Sequence, residues 1–372
     1  MSTSQQSIRR SIPILGFLLI SSILIAGCSS GGALTAAGWP GLATDGTYVY
    51  LAYGPAIYAI DMSTNRESWH YPEEPGRNSI FFAPPALSQE GLIVVGGYDS
   101  LVYTLEPSSS SNVDEAWIFD GASGNIIGAP VIAGDIVLVP SADYSLYALD
   151  LSTGDPIWNQ PFSTGEALWS APLVEGDVIY LASLDHRVYA IDLNSGTELW
   201  CTEALNGAIA DTPTLAGKLL LVGTFNSQLV AVDIEGKGQI AWAFDTESWV
   251  WGSPAIADGL AYFGDYNGVA YAVDVTDGQE VWRATLDGPI TATPAYEDGE
   301  VFFVTEAGTV YAFETGSNKP AWTSNPNLNG RLLSDPVLSG DTLFVAAMDS
   351  ECVISAVESE TGASRCLFRF EE

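Results

Sequence analysis

The sequence predicts an all-β protein: one closed ring of eight four-stranded antiparallel blades, an eight-bladed β-propeller. Three observations predict it. A proline after a short apolar segment recurs as Pro40, Pro85, Pro130, Pro172, Pro213, Pro254, Pro294 and Pro336, at spacings of 40 to 45 residues. That period fits four short strands rather than a helical solenoid repeat. A strand–turn–strand unit recurs within each period, as in Ser145-Leu146-Tyr147-Ala148-Leu149-Asp150 followed by Thr153-Gly154 and Trp158. Finally, Leu219-Leu220-Leu221-Val222 and Ile136-Val137-Leu138-Val139 are apolar at every position, so both faces of these strands must be covered, as in a sheet lying between two others.

The chain begins with an address. Arg9-Arg10 precedes an apolar run from Ile12 to Ile25, which is a charged n-region and an h-region. Ile25-Ala26-Gly27-Cys28 resembles the bacterial lipobox, and that resemblance implies a signal peptide over 1–27 and lipidation of Cys28. Residues 28–38 read as the lipidated cysteine and a flexible Ser/Gly tether, and 39–372 as the propeller. The expected location is extracytoplasmic, anchored by lipid either to the outer face of the cytoplasmic membrane or to an outer membrane facing the periplasm.

Within each repeat the proline opens the innermost strand, and a Gly-bearing turn follows, such as Asp45-Gly46, Gly176-Asp177 or Asp298-Gly299. A second apolar strand leads to the third, with forms such as Ile57-Tyr58-Ala59-Ile60-Asp61 and Val188-Tyr189-Ala190-Ile191-Asp192. The Asp accepts hydrogen bonds from turn amides, and the Gly tolerates positive φ. Trp69, Trp117, Trp158, Trp200, Trp242, Trp282 and Trp322 close the outer strands, each a flat indole placed opposite a small residue. In the eighth repeat Cys366 stands at that position.

The pattern Ala-x-Asp-x-x-Thr-Gly-x-x-x-Trp resembles the tryptophan-docking motif of the PQQ-like (quinoprotein-type) eight-bladed propellers, from Trp39 to Phe370. In anchor, size and repeat number the chain is similar to the BamB lipoproteins of the outer-membrane β-barrel assembly machinery. The resemblance implies a non-enzymatic, lipid-anchored scaffold for protein–protein contacts at the cell envelope. It leaves as alternatives a PQQ-dependent quinoprotein oxidoreductase and a sugar- or ion-binding sensory propeller. The second repeat departs from the pattern, with Tyr103-Thr104-Leu105-Glu106 and a serine run, Ser108 to Ser111.

Other classes of chemistry lack support in the sequence. The formal charge of −34, from 46 acidic against 12 basic residues, repels nucleic acid. Only two histidines occur, His70 and His186, both read as turn residues, without the spacing of a metal pair. No glycine-rich phosphate loop opens a helix, and Asp265-Tyr266-Asn267-Gly268 reads as a β-turn rather than a calcium loop. The cofactor expectation is none, since the length and adjacent cysteines of the quinone-binding enzymes are missing. A monomer is expected, with envelope proteins as partners and the membrane reached through the lipid.

Cys352 and Cys366 flank one hairpin, and a disulfide between them is an open alternative. Pairing like that of the other repeats puts Cys366 opposite Ala356, out of reach, whereas a two-residue insertion could shift the register. Cys201 reads as a buried small hydrophobe. If a ligand or partner binds, the favoured rim carries Asp99, Asp143, Asp185, Asn226, Asp265 and Asp349 between the second and third strands. The loops into each next blade share that end, with Arg77, Asn78, Glu166, Trp169, Asp211, Trp249, Trp251 and Arg331. Trp169, Trp251, Asp211, Arg331, Glu166, Asp185 and Arg187 are the candidate binding residues, and the docking role does not explain the two tryptophans.

Overall fold

The computed structural model describes residues 39–370 apart from 75–79, 110 and 325–327. Cys28, its tether, Arg77 and Asn78 lie outside the described residues. Eight antiparallel sheets follow one another along the chain, and in seven of them strand order matches sequence order. Blade 1, for example, runs Gly41–Thr44, Tyr48–Tyr53, Ala56–Asp61 and Arg66–Tyr71. In every blade the innermost strand starts on the residue after the repeat's proline, from Gly41 in blade 1 to Val337 in blade 8. Proline has no N–H to give a ladder, so it stands at a strand's first edge.

Every blade is completed by its own segment. The eighth also carries a two-residue strand, Arg331–Leu332, at the far end of Thr342–Met348. Among the described residues no strand is exchanged between the first and last blades, and side chains join them. Leu42, Val49, Leu51 and Ile60 of blade 1 pack with Phe344, Ile354, Leu367 and Phe368 of blade 8. Ser334 Oγ donates to the Pro40 carbonyl, and Arg365 Nη1 donates to Asn65 Oδ1 at 3.0 Å.

The core is divided in the same way. Eight hydrophobic clusters each lie between two neighbouring blades. Along one strand alternate residues enter different clusters: Leu220 and Val222 face blade 4, whereas Leu221 faces blade 6. This is the period-two alternation of a strand covered on both faces, and it explains the continuous apolar runs.

The docking tryptophans join blade to blade. Ala59, Ala190, Ala231, Ala272 and Ala312 pair with Trp69, Trp200, Trp242, Trp282 and Trp322, and Thr104 with Trp117. Each such pair adjoins a bulge, which turns the outer strand. The indole then reaches the Gly-bearing turn of the next blade. Trp117 Nε1 donates to Leu151 O at 2.8 Å, Trp158 to Leu193 O at 3.0 Å, Trp242 to Val275 O at 2.9 Å and Trp322 to Ser359 O at 2.8 Å. The turn aspartates accept as expected, Asp150 Oδ1 taking the amides of Ser152 and Thr153 at 2.9 and 3.0 Å.

Some expectations need correction. Trp158 does not end a regular outer strand: Pro156 makes only an isolated bridge to Leu149, and the outer strand of blade 3 shrinks to Phe162–Ser163. Pro156 and Pro161 both lack the donor a ladder needs. Trp282 is buried without a partner for its Nε1, and in blade 7 the glycine, Gly316, follows Glu314 too early to lie beneath the ring. His70 lies inside the strand Arg66–Tyr71, its Nδ1 2.6 Å from Glu67, rather than in a turn. His186 is a turn residue, with φ 72. Cys201 is half-buried, 3.9 Å from Arg187 Nη1.

The disulfide forms between Cys352 and Cys366, with Cα atoms 5.7 Å apart. The pairing that argued against it is shifted by one residue: Cys366 pairs with Ser355, not Ala356, and the shift lies between Ile354 and Ser355.

Candidate functional site

The segments entering each blade are pinned before they reach the ring axis. The residue four before each proline from Pro85 onward is apolar and buried: Phe81, Ile126, Leu168, Ile209, Val250, Ile290 and Leu332. Its amide donates to a carbonyl at the end of the preceding blade's second strand, as Ile126 does to Gly97 and Ile290 to Asp265, both at 3.1 Å. The residue before a proline is held extended. Alternation along such a segment therefore turns the residues one and three before the proline toward the axis.

These residues wall a cavity of about 510 Å³ to which all eight blades contribute. Trp169, Trp251, Ile127, Ala210, Thr291 and Leu333 stand three before their prolines, and Trp39, Thr212 and Asp335 stand one before. Trp39 and Trp251 meet edge to face at 5.8 Å, and Trp169 lies 6.5 Å from Trp251. Phe225 backs Trp251 at 4.9 Å and leads outward to Trp249 at 5.8 Å and Tyr266 at 6.1 Å beyond it. Trp249 and Tyr266 are 50% and 45% exposed, so the aromatic run starts inside the cavity and ends on the open rim.

A polar arc crosses blades 5 to 8. Asp211 Oδ1 accepts from Thr212 N at 2.7 Å, and its Oδ2 from Ser253 N at 2.8 Å and Thr293 Oγ1 at 3.2 Å. Ser253 Oγ donates to the Thr212 carbonyl, and Asp335 Oδ1 accepts from Thr293 N at 2.7 Å. The two aspartates thus satisfy amides that would otherwise face the axis unpaired. Burial raises the Asp211 carboxyl above its ordinary range. Burial and then the nearby charge of Asp211 raise Asp335. Asp335 keeps solvent contact through the cavity mouth, which tempers its shift.

Arg331 is the one cation in the described wall. It is already engaged, with Nη1 3.9 Å from Glu306 and Nε 3.4 Å from Asp349. Burial raises the Glu306 carboxyl, and Arg331 partly offsets this.

Four of the predicted candidates, Trp169, Trp251, Asp211 and Arg331, therefore share one cavity wall, whereas Glu166, Asp185 and Arg187 are outside it. Asp185 is a strut, accepting Gly165 N at 2.7 Å and the Tyr189 hydroxyl at 2.6 Å. Asp99, Asp143 and Asp265 do the same for Tyr103, Tyr147 and Tyr271 at 2.7, 2.8 and 2.8 Å. Burial and then its Asp143 bond push Tyr147 up to about 12. Burial opposes the charge of Asp143, yet bonds from Ser123, Tyr147, Ser141 and Ser145 still lower it. Arg187 Nη1 donates to Thr202 O at 2.5 Å, and Glu166 is exposed and uses its carbonyl.

The Asp-x-x-x-Tyr spacing of 99/103, 143/147 and 185/189 was a signal for these struts. Trp39, Asp335 and Glu306 were missed; counting back from each proline would have found the first two. Among the described residues no group of three or more His, Cys, Asp or Glu could hold a metal ion.

A family model described as outer membrane protein assembly factor BamB matches residues 29–233, 184–278 and 266–365. Among solved structures the chain is similar to BamB from Moraxella catarrhalis, with 16% identity and a TM-score of 0.67 over 85% of this chain and 92% of that one. It is equally similar to the computationally designed Ika8 protein, with 16% identity and a TM-score of 0.67 over 80% and 90%. Likeness at this identity speaks for the fold. A search of the curated proteins found no match.

Proposed function

Because the chain belongs to the family of the outer membrane protein assembly factor BamB, we propose that it is a non-enzymatic scaffold that binds other proteins of the cell envelope. Lipid on Cys28, after removal of 1–27, would hold the propeller at the membrane. The observation that carries the reading is the exposed Trp249–Tyr266 pair, backed by Phe225, on the rim of the ring. Large aromatics supported from behind are the residues on which protein contacts concentrate their energy. Their partner would be a membrane-associated envelope protein, reached from a tether in the same layer.

A quinone cofactor does not suit this cavity. Pyrroloquinoline quinone carries several carboxylates, and the wall already presents Asp211, Asp335 and Glu306 against Arg331 alone. Like charges confined at such distances repel, and among the described residues no cluster of acidic or His/Cys side chains could hold a calcium ion to bridge them.

Cross-linking on intact cells followed by capture of the full chain tests the scaffold reading. Defined envelope proteins should co-purify, and Trp249→Ser with Tyr266→Ser should cut their recovery at least tenfold while leaving the melting curve unchanged. Equal recovery with the double variant would move the contact elsewhere, and recovery of no envelope protein would sink the proposal. Cys28→Ser should release the chain from the membrane fraction.

A further inference from the structure

The axial cavity contains more than the hub of a ring requires. Trp39, Trp169 and Trp251 dock no blade, yet their indoles gather on one wall. Trp39 stands at 86° to Trp251 and Trp169 at 32°, so the three indoles border the lumen in nearly perpendicular orientations. Asp335 borders the same space, open to solvent, with Asp211 joined to it through Thr293. The only cation of the described wall, Arg331, is held by Glu306 and Asp349, so it does not neutralise the aspartates. Thr291 also lines the cavity, and its hydroxyl is buried without a hydrogen-bond partner in the protein.

We propose that this cavity is a binding site for a small organic cation bearing an ammonium or guanidinium group. The face of an indole attracts a cation, most strongly where water is excluded, and perpendicular indoles offer two faces at once. Asp335 supplies the counter-charge. Ile127, Ala210 and Leu333 contact the hydrocarbon part. At about 510 Å³ the space lies within the roughly 300–1,000 Å³ that small ligands fill. An ionised Asp335 repels an anion, whereas a bound cation stabilises its charged form. The chain's charge of −34 concentrates cations at its surface before they enter. The site does not depend on the scaffold reading: Tyr266 borders both, but Trp249, Trp39, Trp169 and Asp335 belong to only one or the other.

The full chain is titrated with choline, with agmatine and with 3,3-dimethyl-1-butanol, the uncharged carbon isostere of choline. Tryptophan fluorescence and calorimetry report binding. Both cations should saturate, and the isostere should bind at least tenfold more weakly. Asp335→Asn and Trp251→Leu should each weaken the cations at least tenfold. Asp177→Asn, the same charge change in an exposed turn between the first two strands of blade 4, should leave them unaltered. Melting curves identify any variant that fails to fold. Acetyl-Gly-Lys-Gly-amide separates the sources: tighter binding than choline places the cation on a partner's side chain, weaker binding makes it a free ligand. Equal affinity for choline and its isostere, an unaffected Asp335→Asn, or absence of saturation by every cation would each overturn the proposal.

Discussion

A glycine beneath an indole sets the contact between one blade and the next. At Gly196 φ is +68, and a Cβ built there would stand 2.5 Å from Trp158 Cδ2. Left-handed backbone alone costs a residue with a Cβ about 1–2 kcal/mol, and the buried indole must also shift. Gly176 supplies the comparison, because at φ +58 its Cβ would meet nothing within 4 Å. Gly196→Ala should therefore lose about 2–4 kcal/mol in urea unfolding, and Gly176→Ala only about 1–2. Equal losses would mean that the indole yields freely. Trp282 lacks a glycine at the matching place, and its Nε1 has no partner.

At the scale of an element, the outer hairpin of blade 8 has a special position. Its neighbour around the ring is blade 1, with which it forms the seam. Val353, Ile354, Leu367 and Phe368, beside the two half-cystines, enter the cluster that closes the ring. A bridge with a sequence separation of 14 constrains the unfolded chain by about 3 kcal/mol. Cys352→Ser with Cys366→Ser should lower Tm by several degrees. Reductant should lower the wild-type Tm by a similar amount and leave the double variant unchanged, as read by calorimetry. Insensitivity of the wild type to reductant would show that the bridge does not support the seam. The register shift that makes the bridge possible was within reach of the sequence only as an insertion. Which residue absorbed it, between Ile354 and Ser355, depended on packing.

Across the whole molecule, two groups of aspartates respond to pH in opposite directions. Asp61, Asp150, Asp192 and Asp274 are lowered, first by hydroxyl bonds from Ser63, Ser152, Ser195 and Thr276. A carboxyl lowered by folding contributes stability above its unfolded pKa of about 4, and that contribution is lost as pH falls through the lowered value. Asp211 and Asp335 are raised, so the folded chain binds their protons more tightly than the unfolded one. Their contribution is greatest when protonated and is lost as pH rises through the raised values. Tm should climb on acidification from about pH 8 to about 5 and fall below about pH 4. Asp211→Asn with Asp335→Asn should flatten the upper limb and leave the acid limb in place. A double variant with the wild-type slope above pH 5 would contradict this assignment.

The sequence by itself determined the architecture, because each repeat carries its blade in local code. Proline fixes where an inner strand begins, apolar runs require two covered faces, and an Asp, a Gly and a Trp at set spacing make a turn and a dock. Those parts act within one blade or between neighbours, so one period suffices to specify them. The cavity is different. Trp39, Trp169, Trp251, Asp211 and Asp335 come from blades 1, 4, 6, 5 and 8 and are brought together by closing the ring. The sequence marked Trp169, Trp251 and Asp211 as irregular, yet it grouped them with Glu166, Asp185 and Arg187, which serve as loop supports. Only the tertiary structure separated the two sets, since which residues face the axis depends on how eight blades meet around it.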